Sequence, residues 1–340
     1  MNDGILLILS FVISFAITVA AGYYVLRWLQ KLKVGQSILD DAPETHKKKE
    51  GTPTMGGIMF LIGIVAACLI LSLAVFHHVS ADMAVLVLSL LLCALIGFCD
   101  DSVKVISRRN KGLTAKQKLL FQIVIAGAIA VYQASLSDYG TSIYIPIART
   151  YLDLGWLYIP FVAFVIVAMA NAVNLTDGVD GLAGGCSGIL AVFLAMTAMK
   201  FGNSDTLIFA AAVAGGCAGF LVYNHFPAKV FMGDTGSLAL GGALAAAAVI
   251  MHVELILVIA GFVFVMEVLS VMIQVSVFKI TKKIYHLDEG KRVFRKTPLH
   301  HHFEEGGWSG KKAGGWKETK VDALFWGCTI VFCLIAWLVM

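Results

Sequence analysis

The chain has 340 residues, 59% of them hydrophobic and only 14% charged, with a formal net charge of +4. A soluble domain of this length is nearer half apolar and a quarter charged, so an ordinary soluble fold is excluded. Mean hydropathy is +0.85, and the excess comes as repeated apolar runs of about 20 residues, the helix length that crosses a bilayer.

In chain order the apolar runs cover 5–27, 55–76, 83–100, 118–136, 156–173, 183–200, 205–223, 235–251, 255–278 and 321–340. They predict an all-α polytopic membrane protein, one integral membrane domain over 1–340 with about ten transmembrane helices. Met1 to Gly4 carries Asp3 and no basic residue. That is not the basic start of a signal peptide, so the first run is expected to stay as an anchor. The polar connections at about 27–54, 100–118, 171–183, 224–234 and 279–320 fall on one side. They hold 24 of the 26 lysines and arginines, and only Arg149 and Lys200 fall on the other. The positive-inside rule therefore predicts that these loops are cytoplasmic and that both termini lie outside. The seven cysteines form no C-x-x-C pair. They read as small core residues rather than zinc ligands or a disulfide framework.

The organised polar residues lie on the basic side. Segment His46 to Gly57 is a basic hinge running into Gly-Thr-Pro-Thr-Met-Gly-Gly at 51–57. The third run closes on Asp100 and Asp101, with Lys104 at i+4 and i+3 from them. One carboxylate could meet a metal while the other orients Lys104; a solvated helix end with a local ion pair is the plainer reading. Asn171 to Gly185 carries Asn171, Asn174 and two Asp-Gly pairs at Asp177 and Asp180. The glycines permit tight turns and close ligand approach, and the amides suit a nucleobase or sugar, more than a simple turn requires. Asn224 to Ser237 ends in Gly-Asp234-Thr-Gly-Ser just before the eighth run. A helix start beside glycines and a carboxylate points to a phosphate and metal site, although Thr235 or Ser237 could be a simple cap. Three consecutive histidines, His300 to His302, cannot readily surround one zinc ion. They read instead as donors to phosphate or sugar hydroxyls, or as a solvated loop. Gly215 and Gly219 form G-x-x-x-G, which favours close helix packing. Glu267, inside the ninth run, is a functional candidate or the partner of a neighbouring helix. Carboxylates, cations and glycines on one membrane face describe phosphate chemistry with a divalent ion such as Mg²⁺.

Together the segments 51–57, 100–101, 171–182, 231–237 and 298–304 resemble the motifs of the phospho-N-acetylmuramoyl-pentapeptide transferases, in the family's order across almost the whole chain. These enzymes form a branch of the polyprenyl-phosphate hexose-1-phosphate transferase superfamily. The resemblance implies a multi-pass protein of the bacterial inner membrane with a cytoplasmic Mg²⁺ site, often a homodimer. The reaction implied joins UDP-N-acetylmuramoyl-pentapeptide to undecaprenyl phosphate, giving lipid I and UMP. By motif matching, Asp100, Asp101, Asp234 and His300 are expected to be catalytic, with Asp234 the favoured Mg²⁺ ligand and Asp177 a second. Lys49, Thr54, Lys104, Asn171, Asn174, Asp177, Asp180, Asn224, Phe231, His301 and His302 are expected to bind substrate. Membrane lipid is an expected partner and nucleic acid is not. The chain departs from the family pattern in a longer 279–297 stretch, in the Gly306 to Gly315 insertion, and at Asp322 to Trp326. The rival readings are a UDP-N-acetylglucosamine transferase of the same superfamily and a transporter of anionic or nucleotide-sugar solutes. The transporter is disfavoured by the lack of an internal repeat.

Overall fold

The computed structural model describes residues 2–32, 51–107, 112–286, 288–308 and 315–340. Ten of its helical segments are long and apolar enough to cross a membrane. We number the helices α1 Asp3–Lys31, α2 Ile58–Leu71, α3 Ala81–Ser107, α4 Ala115–Leu136, α5 Tyr158–Thr176 and α6 Leu182–Phe201. They continue with α7 Ser204–Asn224, α8 Gly233–Ile250, α9 Glu254–Ala260, α10 Phe262–Ile284, α11 Leu299–Glu304 and α12 Glu318–Val339. The all-α polytopic architecture read from the apolar runs is the one found.

Helix α8 is the axis of the bundle. Every residue from Thr235 to Ile250 is buried, yet its window has the lowest mean hydropathy of the ten, 1.4. Its sequence is mostly Gly and Ala, and small residues let backbones approach where large apolar ones would hold them apart. A Cβ on Gly97 of α3 would stand 2.0 Å from the Asp234 carbonyl oxygen. One on Gly241 would meet the Ala170 backbone of α5 at 2.5 Å. The G-x-x-x-G of α7 does the same work against α1: a Cβ on Gly215 would lie 2.2 Å from the Phe11 carbonyl oxygen.

Several boundaries differ from the hydropathy reading. Helix α3 runs on through Asp100, Asp101 and Lys104 to Ser107, so these residues lie within a helix rather than at its close. The connection expected at about 171–183 shrinks to the five residues between Thr176 and Leu182, because α5 includes Asn171 and Asn174. Hydropathy marks where apolar side chains stop; backbone hydrogen bonding continues past that point. The ninth run is broken at Gly261 into α9 and α10. The 136–156 connection holds an unforeseen antiparallel hairpin, β1 Ser142–Ile145 with β2 Thr150–Asp153, in register Ser142↔Asp153 to Ile145↔Thr150. The hairpin sits at the end of the bundle where the chain finishes: the Tyr144 hydroxyl donates to the Met340 carbonyl. All seven cysteines are free thiols.

Candidate functional site

The opposite end of the bundle gathers the charges. Asp234 lies at the N-terminus of α8, where backbone N–H groups lack partners within the helix. The missing acceptor comes from another helix. Asp101 of α3 accepts from the Thr235 N–H at 2.8 Å and the Thr235 hydroxyl at 2.7 Å, and its second oxygen accepts from the Asp234 N–H at 3.3 Å. Neither local cap candidate serves that role: the Ser237 hydroxyl donates back to the Gly233 carbonyl instead. The α3–α8 approach allowed by Gly97 thus brings Asp100, Asp101 and Asp234 together, with one oxygen of each within 4.8 Å of the others.

Two lysines bind this triad. Lys104 Nζ is 2.6 Å from Asp100, 3.2 Å from Asp234 and 3.7 Å from Asp101. Lys118, near the start of α4, is 2.5 Å from Asp234 and 3.0 Å from Asp100. Sequence reasoning missed Lys118. Nothing in its local sequence separates it from the exposed Lys116; its place follows from α4, capped by a Thr114–Gln117 box, packing beside α3. The three acids differ in access. The Asp100 side chain is 1% exposed and also accepts from the Leu113 N–H at 2.8 Å. Asp101 is 3% exposed and committed to α8, whereas Asp234 is 17% exposed.

The residues of the 171–182 run divide. Asn174 donates to Asp234 at 3.0 Å and to Ser237 at 2.8 Å, so it belongs to the triad. Asn171 does not: its amide donates to Gln122 of α4 and to the Val167 carbonyl, tying α5 to α4. Asp177 lies outside the three-acid group. Burial, with Asp234, Asp101 and Asp180 nearby, pushes its carboxyl up to about 8. The Asp180 carboxylate accepts from the Ala228 N–H, and the Asn224 amide links the Gly181 N–H to the Val230 carbonyl. These two side chains hold the 177–181 turn against the 225–231 loop, a brace rather than an open set of donors. Phe231 is partly exposed, and its backbone pairs with the 53–57 segment through Pro53 and Gly56. Thr54 is buried beside Gly233: a Cβ there would meet its hydroxyl at 2.9 Å. Lys49 lies outside the described residues.

The three histidines sit on α11 and take different partners, although the His300 and His301 ring centroids are 4.2 Å apart. His300 is fully buried. Its N–H and its Nδ1 both meet Glu267 of α10 at 3.1 Å, which explains the acid inside the ninth run: its partner is a loop helix rather than a neighbouring span. With Nδ1 held by the carboxylate, Nε2 is the ring nitrogen left for another group. It points at Gly178, where a Cβ would stand 2.3 Å away, and has no partner among the described residues. His301 pairs with Glu304, and burial holds its ring down at about 4. His302 takes the Arg295 N–H and packs on Trp308, with ring centroids 4.4 Å apart, so it supports the loop. Trp308 comes from the Gly306 to Gly315 insertion.

Oxygen donors from three carboxylates suit a hard divalent cation such as Mg²⁺. The lysines beside them suit phosphate oxygens, and the site opens through Asp234. The arrangement fits charge stabilisation at a phosphoryl centre.

Comparison with known proteins agrees in character. The family profile "Glycosyl transferase family 4" matches residues 83–252, and the phospho-N-acetylmuramoyl-pentapeptide-transferase signature 1 matches residues 49–61. A phospho-N-acetylmuramoyl-pentapeptide-transferase of Thermoanaerobacter sp. (strain X514) is 44% identical over 325 residues, 96% of each chain. Relatives of the same name are 44% identical in Listeria innocua, over 97% of each chain, and in Geobacillus thermodenitrificans, over 97% of this chain and 96% of the other.

Proposed function

Because the chain belongs to the phospho-N-acetylmuramoyl-pentapeptide-transferase family of membrane transferases, we propose that it moves phospho-N-acetylmuramoyl-pentapeptide from its UDP derivative to undecaprenyl phosphate, releasing lipid I and UMP. The observation that carries this reading is the meeting of Asp100, Asp101 and Asp234 with Lys104 and Lys118 at one end of an apolar bundle. The 24-to-2 asymmetry of basic residues supports a cytoplasmic orientation for that end in the bacterial inner membrane. The reading includes a homodimer, which the mass of the protein in lipid nanodiscs tests.

The carrier's phosphate oxygen attacks the β-phosphorus, the bond to the α-phosphate oxygen breaks, and UMP leaves with that electron pair. A phosphate monoester with a second pKa near 6 is already largely dianionic at pH 7, so the attack needs no strong base. Direct transfer is favoured over an aspartyl-phosphate: Asp101 spends its oxygens on α8, and Asp100 is sealed between two lysines and the Leu113 N–H. Mg²⁺ held by Asp234 with Asp100 or Asp101 would neutralise charge on the diphosphate when bound. Lys104 and Lys118 stand ready to exchange their carboxylate contacts for phosphate oxygens. Asn174 fixes the Asp234 rotamer. Glu267 aims the His300 Nε2 at the 177–181 turn, where the sugar–phosphate end would lie. Phe231, partly exposed beside that turn, is the candidate platform for the uracil ring.

The test supplies purified protein with undecaprenyl phosphate, Mg²⁺ and each labelled nucleotide sugar in turn, scoring lipid-linked product and UMP together. UDP-N-acetylmuramoyl-pentapeptide should turn over and UDP-N-acetylglucosamine should be largely ignored, since a site of buried polar groups rejects a substrate that leaves them unpaired. Faster use of UDP-N-acetylglucosamine would move the chain to the other branch. No UMP from either nucleotide would refute the transferase reading.

A further inference from the structure

Helix α10 leaves the bundle with two dissimilar sides. Lys279, Lys282 and Lys283 fall at i, i+3 and i+4, so they share one face of the helix, and His286 follows two residues past its end. All four are exposed, and with Phe278 they line an open cavity of about 540 Å³. One and two turns back along this face, at i−4 and i−7 from Lys279, stand Val275 and Met272, 44% and 58% exposed. The other side of the helix is occupied. Gln274 accepts from the Val293 and Phe294 N–H groups, and the Thr281 hydroxyl accepts from the Lys291 N–H.

The same stripe therefore changes from exposed hydrocarbon to exposed cation along its length, which is the profile of a membrane leaflet from acyl chain to headgroup. Among the described residues no carboxylate forms an ion pair with any of the four. Asp288 and Glu289 follow in sequence but do not line the cavity. Other cations of this loop have local partners: Arg295 reaches the Glu305 carbonyl, and Lys291 and Lys320 lie over the rings of Tyr285 and Trp316. Lysines serving only as positive-inside charge need neither a common face nor a shared cavity.

We propose that the end of α10 is a binding site for an anionic diacyl phospholipid of the surrounding leaflet. The phosphate would sit among Lys279, Lys282 and Lys283, and the acyl chains would run along Val275 and Met272. The ammonium groups act as point charges on flexible stems, suited to a headgroup phosphate without demanding one geometry. Each lysine near an anionic leaflet is worth roughly fivefold in binding. The site is separate from the carboxylate triad and needs no nucleotide.

Native mass spectrometry of the full chain in detergent, titrated with phosphatidylglycerol or phosphatidylcholine, tests this. The wild-type chain should bind the first phosphatidylglycerol at least about tenfold more tightly than phosphatidylcholine. The triple variant Lys279→Gln, Lys282→Gln, Lys283→Gln should lose that preference while keeping its melting temperature. Should the triple variant fail to fold, the single charge reversal Lys282→Glu, on an exposed position, should weaken phosphatidylglycerol about tenfold. Unchanged binding in the folded variant would show that these lysines are merely solvated, and equal wild-type affinity for both lipids would show that no headgroup site exists. Displacement of phosphatidylglycerol by equimolar undecaprenyl phosphate from this cavity would overturn the assignment to bulk lipid.

Discussion

The bundle carries a buried polar cluster at each end, and the two are built on opposite principles. At the hairpin end, His252 is 1% exposed, and its Nδ1 donates to the Ser142 carbonyl at 2.7 Å. The ring is therefore neutral with its lone pair on Nε2, which accepts from the Gln133 amide at 2.7 Å and the Ser137 hydroxyl at 2.6 Å. That cluster is a nearly closed set of mostly neutral donors and acceptors joining α4, the hairpin and the α8–α9 corner; through Tyr158 it meets the buried Glu254, whose Oε2 has no partner among the described residues. At the other end three carboxylates share two lysines, Asp234 keeps a partly exposed carboxylate at the opening, and the His300 Nε2 has no partner among the described residues. A satisfied neutral network rigidifies a fold, whereas surplus charge beside an opening is costly unless a ligand completes it. Burial of polar groups alone does not mark a site; what the groups leave unfinished does.

The comparison breaks most sharply at Asp234. Asp234→Asn should cut turnover by about a thousandfold or more while leaving the melting temperature within a few degrees, because the carboxylate is the open member of the triad. Transfer at a tenth of the wild-type rate in saturating Mg²⁺ would remove Asp234 from the chemistry.

Within the site end, Asn174 and Asn171 stand one helical turn apart and should separate. Asn174→Ala frees the Asp234 rotamer and should lower kcat about ten- to a hundredfold. Asn171→Ala breaks the links to Gln122 and to the Val167 carbonyl, neither of them in the triad, and should cost less than about threefold, a prediction at odds with its motif assignment to substrate binding. Equal losses in steady-state kinetics would return Asn171 to the site.

The smallest effect on activity is expected at the hairpin end. His252→Ala takes the donor from the Ser142 carbonyl and the acceptor from one Gln133 amide hydrogen, leaving Gln133 only the Ile250 carbonyl, and should lower thermal stability by the equivalent of about 1–3 kcal/mol, with turnover per folded molecule unchanged. Burial also holds the His252 ring below its ordinary pKa of 6.5. The unfolded chain thus takes up the proton first as pH falls below 6.5, and stability drops toward acid because Nε2–H would face the Gln133 amide hydrogens. Burial pushes the Asp177 and Glu254 carboxyls up to about 8, which adds stability toward acid in both proteins, so the His252 contribution is the difference between them: as pH falls from 7.5 to 5, the wild-type melting temperature should drop relative to that of His252→Ala. A variant that instead lost stability relative to the wild type over that range would mean that other groups control this end.

Much of this protein follows from its sequence alone, for physical reasons. Ten apolar runs long enough to span a bilayer fix the number of spans, because an unsatisfied backbone has no alternative in lipid. The uneven lysines and arginines single out one end, and the motif order across the chain identifies the family. The 51–57, 171–182 and 231–237 motifs announce that chemistry lies on the basic side. Pairing was out of reach, since it depends on which helices touch. That Asp101 caps α8, that Lys118 joins the triad, that Asn171 serves α4 and that Glu267 holds His300 are decided by helix packing across separations of 33 to 134 residues. Glycines and alanines spread along the chain permit that packing, and their meaning appears only when a second backbone lies against them. Local pattern records what a residue can do; tertiary structure decides whether its hydrogen bonds are spent on the fold or left for a ligand.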